Sequence, residues 1–207
     1  MASAVVFYRR NRYVITGKVR QVSPYVLEKV KEYPDIMTLL SLSEDISDPN
    51  DWLIELIEKI NDDITLILAE GKTEFFDLVT GWHSMHWFLT GESEEYNLPF
   101  IVNESTNGYE PLLVNAVLGG TRIKADFDLR YFTPDEVKQV AKALSRIARQ
   151  ENFAERWKKL KQPPRTSRIY LWYTEDDRDE NFIDFTNFVD YYKNASERGN
   201  AILISIY

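Results

Sequence analysis

The chain has 207 residues, which suits one large domain, and its 44% hydrophobic and 14% aromatic content is enough for a sizeable core. Its net charge of −8 works against nucleic acid and anionic membrane as partners. It has no cysteine, which excludes disulfides, iron–sulfur clusters, thiolate metal sites and cysteine nucleophiles.

Ala4-Val5-Val6-Phe7-Tyr8 is short, β-branched and aromatic, and reads as a buried strand. That run is too short, and too soon followed by Arg9-Arg10, to be a secretory signal, and no window stays apolar for the ~18 residues of a membrane span. The expected compartment is the cytoplasm. Residues 9–20 are basic, with a second short strand at Tyr13-Val14-Ile15-Thr16 broken by Gly17. Ser23 and Pro24 open a helix as N-cap and first-turn residue, and Pro34 ends it. Residues 41–50 read as an acidic loop. A helix follows from Asp48-Pro49, with Trp52, Leu53, Leu56, Ile57 and Ile60 on one face. Ile64-Thr65-Leu66-Ile67-Leu68 fits a strand or a helical turn equally. Gly71-Lys72-Thr73 resembles the end of a phosphate-binding loop, but the motif needs glycine where Leu66 stands.

From Leu78 to Gly91 there is no charged residue, and both histidines of the chain lie here. The spacing predicts a buried central helix over about 75–90, with Leu78, Trp82, Met85, His86 and Leu89 on its main face and Gly91 as its exit. A short extended segment is expected at 98–102. A buried element over 112–118, favoured as helix, closes at Gly119-Gly120. Residues 127–132 read as extended. Thr133-Pro134-Asp135-Glu136 is a capping box that opens a helix with Val137, Val140, Ala141, Leu144, Ile147 and Ala148 at helical spacing. Pro163-Pro164 ends any continuation. Ile169-Tyr170-Leu171-Trp172-Tyr173 reads as a strand or buried extended run. A helix then carries Phe182, Phe185, Phe188, Tyr192 and Ala195 and stops at Gly199. The last strand is Ala201-Ile202-Leu203-Ile204-Ser205-Ile206.

Four stretches in this order carry a family resemblance. They are Phe76-Asp77 followed by Trp82-His83-x-x-His86 and Leu89-Thr90-Gly91, then Pro111-Leu112 through Ala116-Val117-Leu118-Gly119-Gly120, then Arg130-Tyr131-Phe132-Thr133-Pro134-Asp135-Glu136-Val137, and finally Ile169-Tyr170 with Arg198-Gly199-Asn200-Ala201-Ile202-Leu203. Together they resemble the YfbM-like family of bacterial proteins, a family of unknown function, most strongly over 76–207. The resemblance implies a three-layer α/β fold and no particular activity. The family often has Asp and Lys before its tryptophan where this chain has Val79 and Thr80, and the basic stretch 9–20 is atypical. The expected architecture is one α/β domain over 1–207. A mixed sheet would contain the N- and C-terminal strands, with helices covering it and the central helix buried.

His83 and His86 admit three readings: metal ligands with Asp77, a general acid or base, or core histidines. Two histidines fall short of the three protein ligands of catalytic zinc, so no metal or other cofactor is expected. Trp82 and His83 are candidate ligand contacts. Arg130, three residues before the helix cap at Thr133, could meet an anion beside the first-turn amides, or form an internal salt bridge with Asp126 or Asp128. Residues 142–168 hold nine basic residues against Glu151 and Glu155, a patch for an acidic partner or simply a solvated face. The acids of 175–180 lack the glycine and the final glutamate of a calcium loop. Two function classes remain. One is a cytoplasmic, non-enzymatic protein that binds another protein in a regulatory or toxin-neutralising role. The other is a small enzyme or anionic-ligand domain with a cleft by the central helix, using His83 and Arg130.

Overall fold

The computed structural model describes residues 17–41, 54–55, 58, 60, 66–67, 69, 75–79, 81–91, 101–103, 112–149, 156 and 178–206. Its strands are β1 (Gly17–Val22), β2 (Phe75–Val79), β3 (Ile101–Asn103), β4 (Leu113–Val114), β5 (Thr121–Ile123), β6 (Asp128–Phe132) and β7 (Ala201–Ile206). Its helices are α1 (Pro24–Glu32), α2 (Ile36–Ser41), α3 (Trp82–Thr90), α4 (Pro134–Ile147) and α5 (Arg178–Glu197). Five strands form one sheet in the order β2-β1-β7-β6-β5, and β3 and β4 pair separately. The strands expected at 4–8, 13–16 and 169–173 lie outside the described residues. No helix among the described residues is long and apolar enough to cross a membrane.

The sheet is antiparallel at every described pairing, whereas a mixed sheet was expected. A parallel neighbour needs one crossover that returns the chain to the starting end. Between β6 and β7 lie two helices packed on one another, α4 and α5, so the chain re-enters the sheet at the end it left. β7 takes the middle because Ala201, Ile202, Leu203 and Ile204 are apolar on both faces, as a strand covered on both sides requires. Alternation then sorts the side chains. Val19, Phe132, Ile202 and Ile204 join Trp82, Leu89, Leu144, Phe188 and Tyr192 in one cluster. Val22, Leu129 and Leu203 join Val26, Val30, Ile36 and Met37 in another. Helices therefore lie on both faces, with α1 and α2 on one and α3, α4 and α5 on the other.

Three local expectations change. Residues 75–79 are a strand, the outermost of those described on its side of the sheet, and the buried helix begins only at Trp82. Phe75 and Asp77 are exposed, while Leu78 is buried and Phe76 packs on the core, a period of two. β1 occupies a position read only as basic sequence, because Lys18, Arg20 and Gln21 conceal the alternation. Beyond β4 the chain leaves regular structure. Asn115 Oδ1 accepts the Leu118 N–H at 3.1 Å, and this side-chain turn competes with the helix favoured over 112–118. The starts of α1 and α4 stand as read. Ser23 Oγ accepts the Val26 N–H, and Thr133 and Glu136 form the reciprocal capping box.

Candidate functional site

α3 is the element on which the candidate residues converge. Gly17 on β1 lets it approach, since a Cβ there would stand 2.7 Å from Trp82 Cβ. At the other end Gly91 takes φ 75° and its N–H returns to the Trp87 carbonyl. Two further C-terminal carbonyls are met by Arg156. Its Nε donates to Phe88 O at 2.6 Å, and its Nη2 donates to Leu89 O at 2.8 Å and Leu112 O at 2.6 Å. Burial lowers this guanidinium to about 10, yet leaves it charged at neutral pH. In the sequence Arg156 counts as one of nine cations in a surface patch. Here it is buried, while Lys142, Arg146 and Arg149 of that span are exposed.

His83 is 2% exposed and stacks on Trp82, with ring centroids 4.7 Å apart and planes at 11°. His86 is fully buried, and neither ring nitrogen has a hydrogen-bond partner among the described residues. Burial above all, then the nearby His83 and Arg130, pushes its pKa down to about 3. His86 is therefore neutral at physiological pH.

Arg130 shares a sheet face with Phe132, as strand alternation requires, and is 6% exposed. Its Nε donates to Asp128 at 3.1 Å and 3.3 Å, and its Nη1 to Leu118 O at 2.8 Å. Asp128 also stands 3.5 Å from the exposed Arg122, the cross-strand neighbour of Arg130. This is the internal ion pair weighed against anion binding in the sequence. The nearby helix start is occupied as well, because Thr133 N and Oγ1 both donate to Glu136 Oε2. Asp77 is not brought to the histidines. It is exposed on β2, opposite Lys18, whereas its neighbours Phe76 and Leu78 turn to the α3 face. Among the described residues no three acids or histidines could together hold a metal ion.

An open cleft of about 530 Å³ lies elsewhere, between β2 with β1 and the outer side of α5. Phe76 forms part of its floor, its ring 5.4 Å from Phe188 and 5.8 Å from Tyr191. Tyr191 Oη accepts the Gln21 N–H at 2.6 Å, and Gln21 Oε1 accepts from Asn200 Nδ2 at 3.3 Å. Asn187, Asp190 and Asn194 line the rest from one side of α5, and Arg198 lines it from just past the end of the helix. Sequence reasoning followed only the apolar side of this helix. The signal for the cleft was its polar stripe, spaced by three or four residues, with two amides among its members.

The architecture is thus an α/β domain built on an antiparallel sheet with helices on both faces. A family model described as a domain of unknown function, DUF1877, matches residues 21–205, and the chain belongs to that family. The chain is similar to a solved protein of unknown function, YfbM from Escherichia coli. The identity is 16% over 93% of this chain and 99% of that one, with a TM-score of 0.50. That likeness is one of fold, and the resemblance read from the four sequence stretches agrees with it. No curated protein matches the chain. Neither comparison carries a specific function.

Proposed function

We propose that this chain is a non-catalytic binding domain whose partner is another protein, acting in the cytoplasm in a regulatory or toxin-neutralising role. The observation that carries the reading is the closure of the histidine–arginine cluster. His83, His86 and Arg130 are all buried, and Arg130 is tied to Asp128 and Leu118 O. A substrate could meet them only if the core opened. An enzyme built on these residues needs them to face a concave, accessible site, and the described cleft lies between β2 and α5 instead. The acidic surface, net charge −8, suits selective pairing with a complementary protein more than nucleic acid.

The test is capture. The full chain, tagged and cross-linked in its native cell, is purified and its companions are quantified by mass spectrometry. One protein recovered in near-equimolar amount over a tag-only control is the expected result. No enriched protein, together with turnover by the purified chain that is lost in His83→Ala, would reverse the reading in favour of an enzyme.

A further inference from the structure

The cleft between β2 and α5 has two walls of opposite character. On the sheet side Phe76 and Gln21 face α5, because Phe76 pairs with Val19 and strand alternation returns Gln21 to the side of Val19. The Tyr191 ring lies 5.8 Å from that of Phe76, so aromatic carbon forms the floor. On the helix side Asn187, Asp190 and Asn194 recur at spacings of three and four residues. At about 1.5 Å of rise per residue they make a hydrogen-bonding row roughly 10 Å long. The volume of about 530 Å³ falls within the roughly 300–1,000 Å³ of small-molecule sites. Asn194 adds an independent sign of a missing partner. Its Oδ1 is buried and accepts no hydrogen bond among the described residues.

We propose that this cleft binds a neutral saccharide, either free or as the end of a longer glycan. The site goes beyond the protein-binding reading and does not rest on it. The lining selects against other ligand classes in turn. Its charged residues are one acid, Asp190, and one base, Arg198, so the lining carries no net charge to hold an ion. Asp190 is moreover paired with Lys193 at 3.0 Å. A wholly apolar ligand would cover Phe76 and Tyr191 but strip water from the polar row without replacing its hydrogen bonds. A flat aromatic ligand with a single donor would meet one member of that row. A sugar ring has both surfaces the cleft asks for. Its C–H face lies on aromatic carbon, and its rim of hydroxyls donates and accepts, as the carboxamides of Asn187 and Asn194 do. Asn194 is the group that moves. No hydrogen bond holds its Oδ1, and the last side-chain torsion of asparagine is a broad one. Turning the carboxamide towards the cleft therefore breaks no bond of that oxygen and makes one with a sugar hydroxyl.

The test places the full chain on an array of neutral and acidic glycans, and titrates free mono- and disaccharides into isotope-labelled protein. Neutral glycans should bind, and the titration should move the side-chain amide signals of Asn187 and Asn194 and the ring signals of Phe76. Saturation by a free sugar as tight as the array binding identifies a free saccharide as the ligand. Saturation only by the released array glycan identifies a glycan end. Asn187→Ala and Asn194→Ala should each weaken binding about five- to tenfold, the worth of one hydrogen bond, while Lys142→Ala on α4 leaves it unchanged. Asn187 is exposed, so its variant keeps the fold and carries the test alone should Asn194→Ala unfold. Binding of acidic glycans only, no binding by any sugar, or shifts centred away from β2 and α5 would overturn the proposal. So would an Asn187→Ala variant that binds as tightly as wild type.

Discussion

His86 joins chemistry to stability. The folded state holds it neutral, with a pKa near 3 against about 6.5 in an unfolded chain. Between those values the unfolded state binds the extra proton, so stability rises with pH. The contribution is fully present above pH 6.5 and is lost progressively as the pH falls towards 3, on the order of 5 kcal/mol over the whole window. The His86 ring signals should therefore not titrate between pH 8 and 4.5 in NMR spectra. His86→Leu should flatten the fall in denaturant midpoint over that range, relative to wild type. A ring that titrates near 6.5 would contradict the burial argument. The sequence allowed three roles for this residue. Helical spacing put it on the apolar face, but periodicity says nothing about which charged group lies across the core, and Arg130 arrives from a strand 44 positions away.

At the next scale, elements are held by their ends and by close approach. Arg156 satisfies three carbonyls at the end of α3 and of the neighbouring chain. Arg156→Leu leaves those buried acceptors without their donor and should cost roughly 3–5 kcal/mol. Arg156→Lys should recover only part of this, since one ammonium lacks the flat fork that reaches all three. Denaturant unfolding of both variants measures the difference. Gly17→Ala would drive a methyl into Trp82 and should cost about 1–3 kcal/mol. Thr133→Ala removes half of a capping box and should cost about 1 kcal/mol. A negligible loss from Gly17→Ala would mean that α3 does not pack tightly on β1.

Elements whose signals are local were legible. The cap and apolar stripe of α4, the aromatic face of α5 and the continuous apolar run of β7 all stand where their spacing placed them. β1 and β2 were hidden because their polar residues find partners far along the chain. Arg20 donates to Leu40 O at 3.2 Å and, with Lys18, covers Phe75. Arg156 was hidden for the same reason: only the folded chain brings it to Phe88 and Leu112. The cleft needs β1, β2 and α5 together, and no single stretch announces it.

For the whole molecule, charge and burial act together in acid. The isoelectric point of about 4.9 means that the net charge of −8 vanishes near the pH at which proton uptake by unfolded histidine is already weakening the fold. Repulsion between molecules and the stability of each should therefore decline over the same interval. Light scattering at constant ionic strength should show aggregation rising steeply between pH 6 and 5. His86→Leu should shift that onset to lower pH, whereas an unshifted onset would assign the effect to net charge alone.

The placement of β7 has a consequence for synthesis. It is the central strand, paired to β1 across about 180 intervening positions, so β1 has no β7 neighbour until that whole length has been translated. At about 5–20 residues per second, β1 waits roughly 10–40 s on the ribosome with its sheet edge open. Helper proteins that shield nascent chains should be needed throughout that interval. Arrested chains that stop short of Ala201 should be cut by protease along their full length, while chains that include Ile206 and have left the exit tunnel should resist. Six residues, 201–206, thus decide whether everything before them becomes a protein.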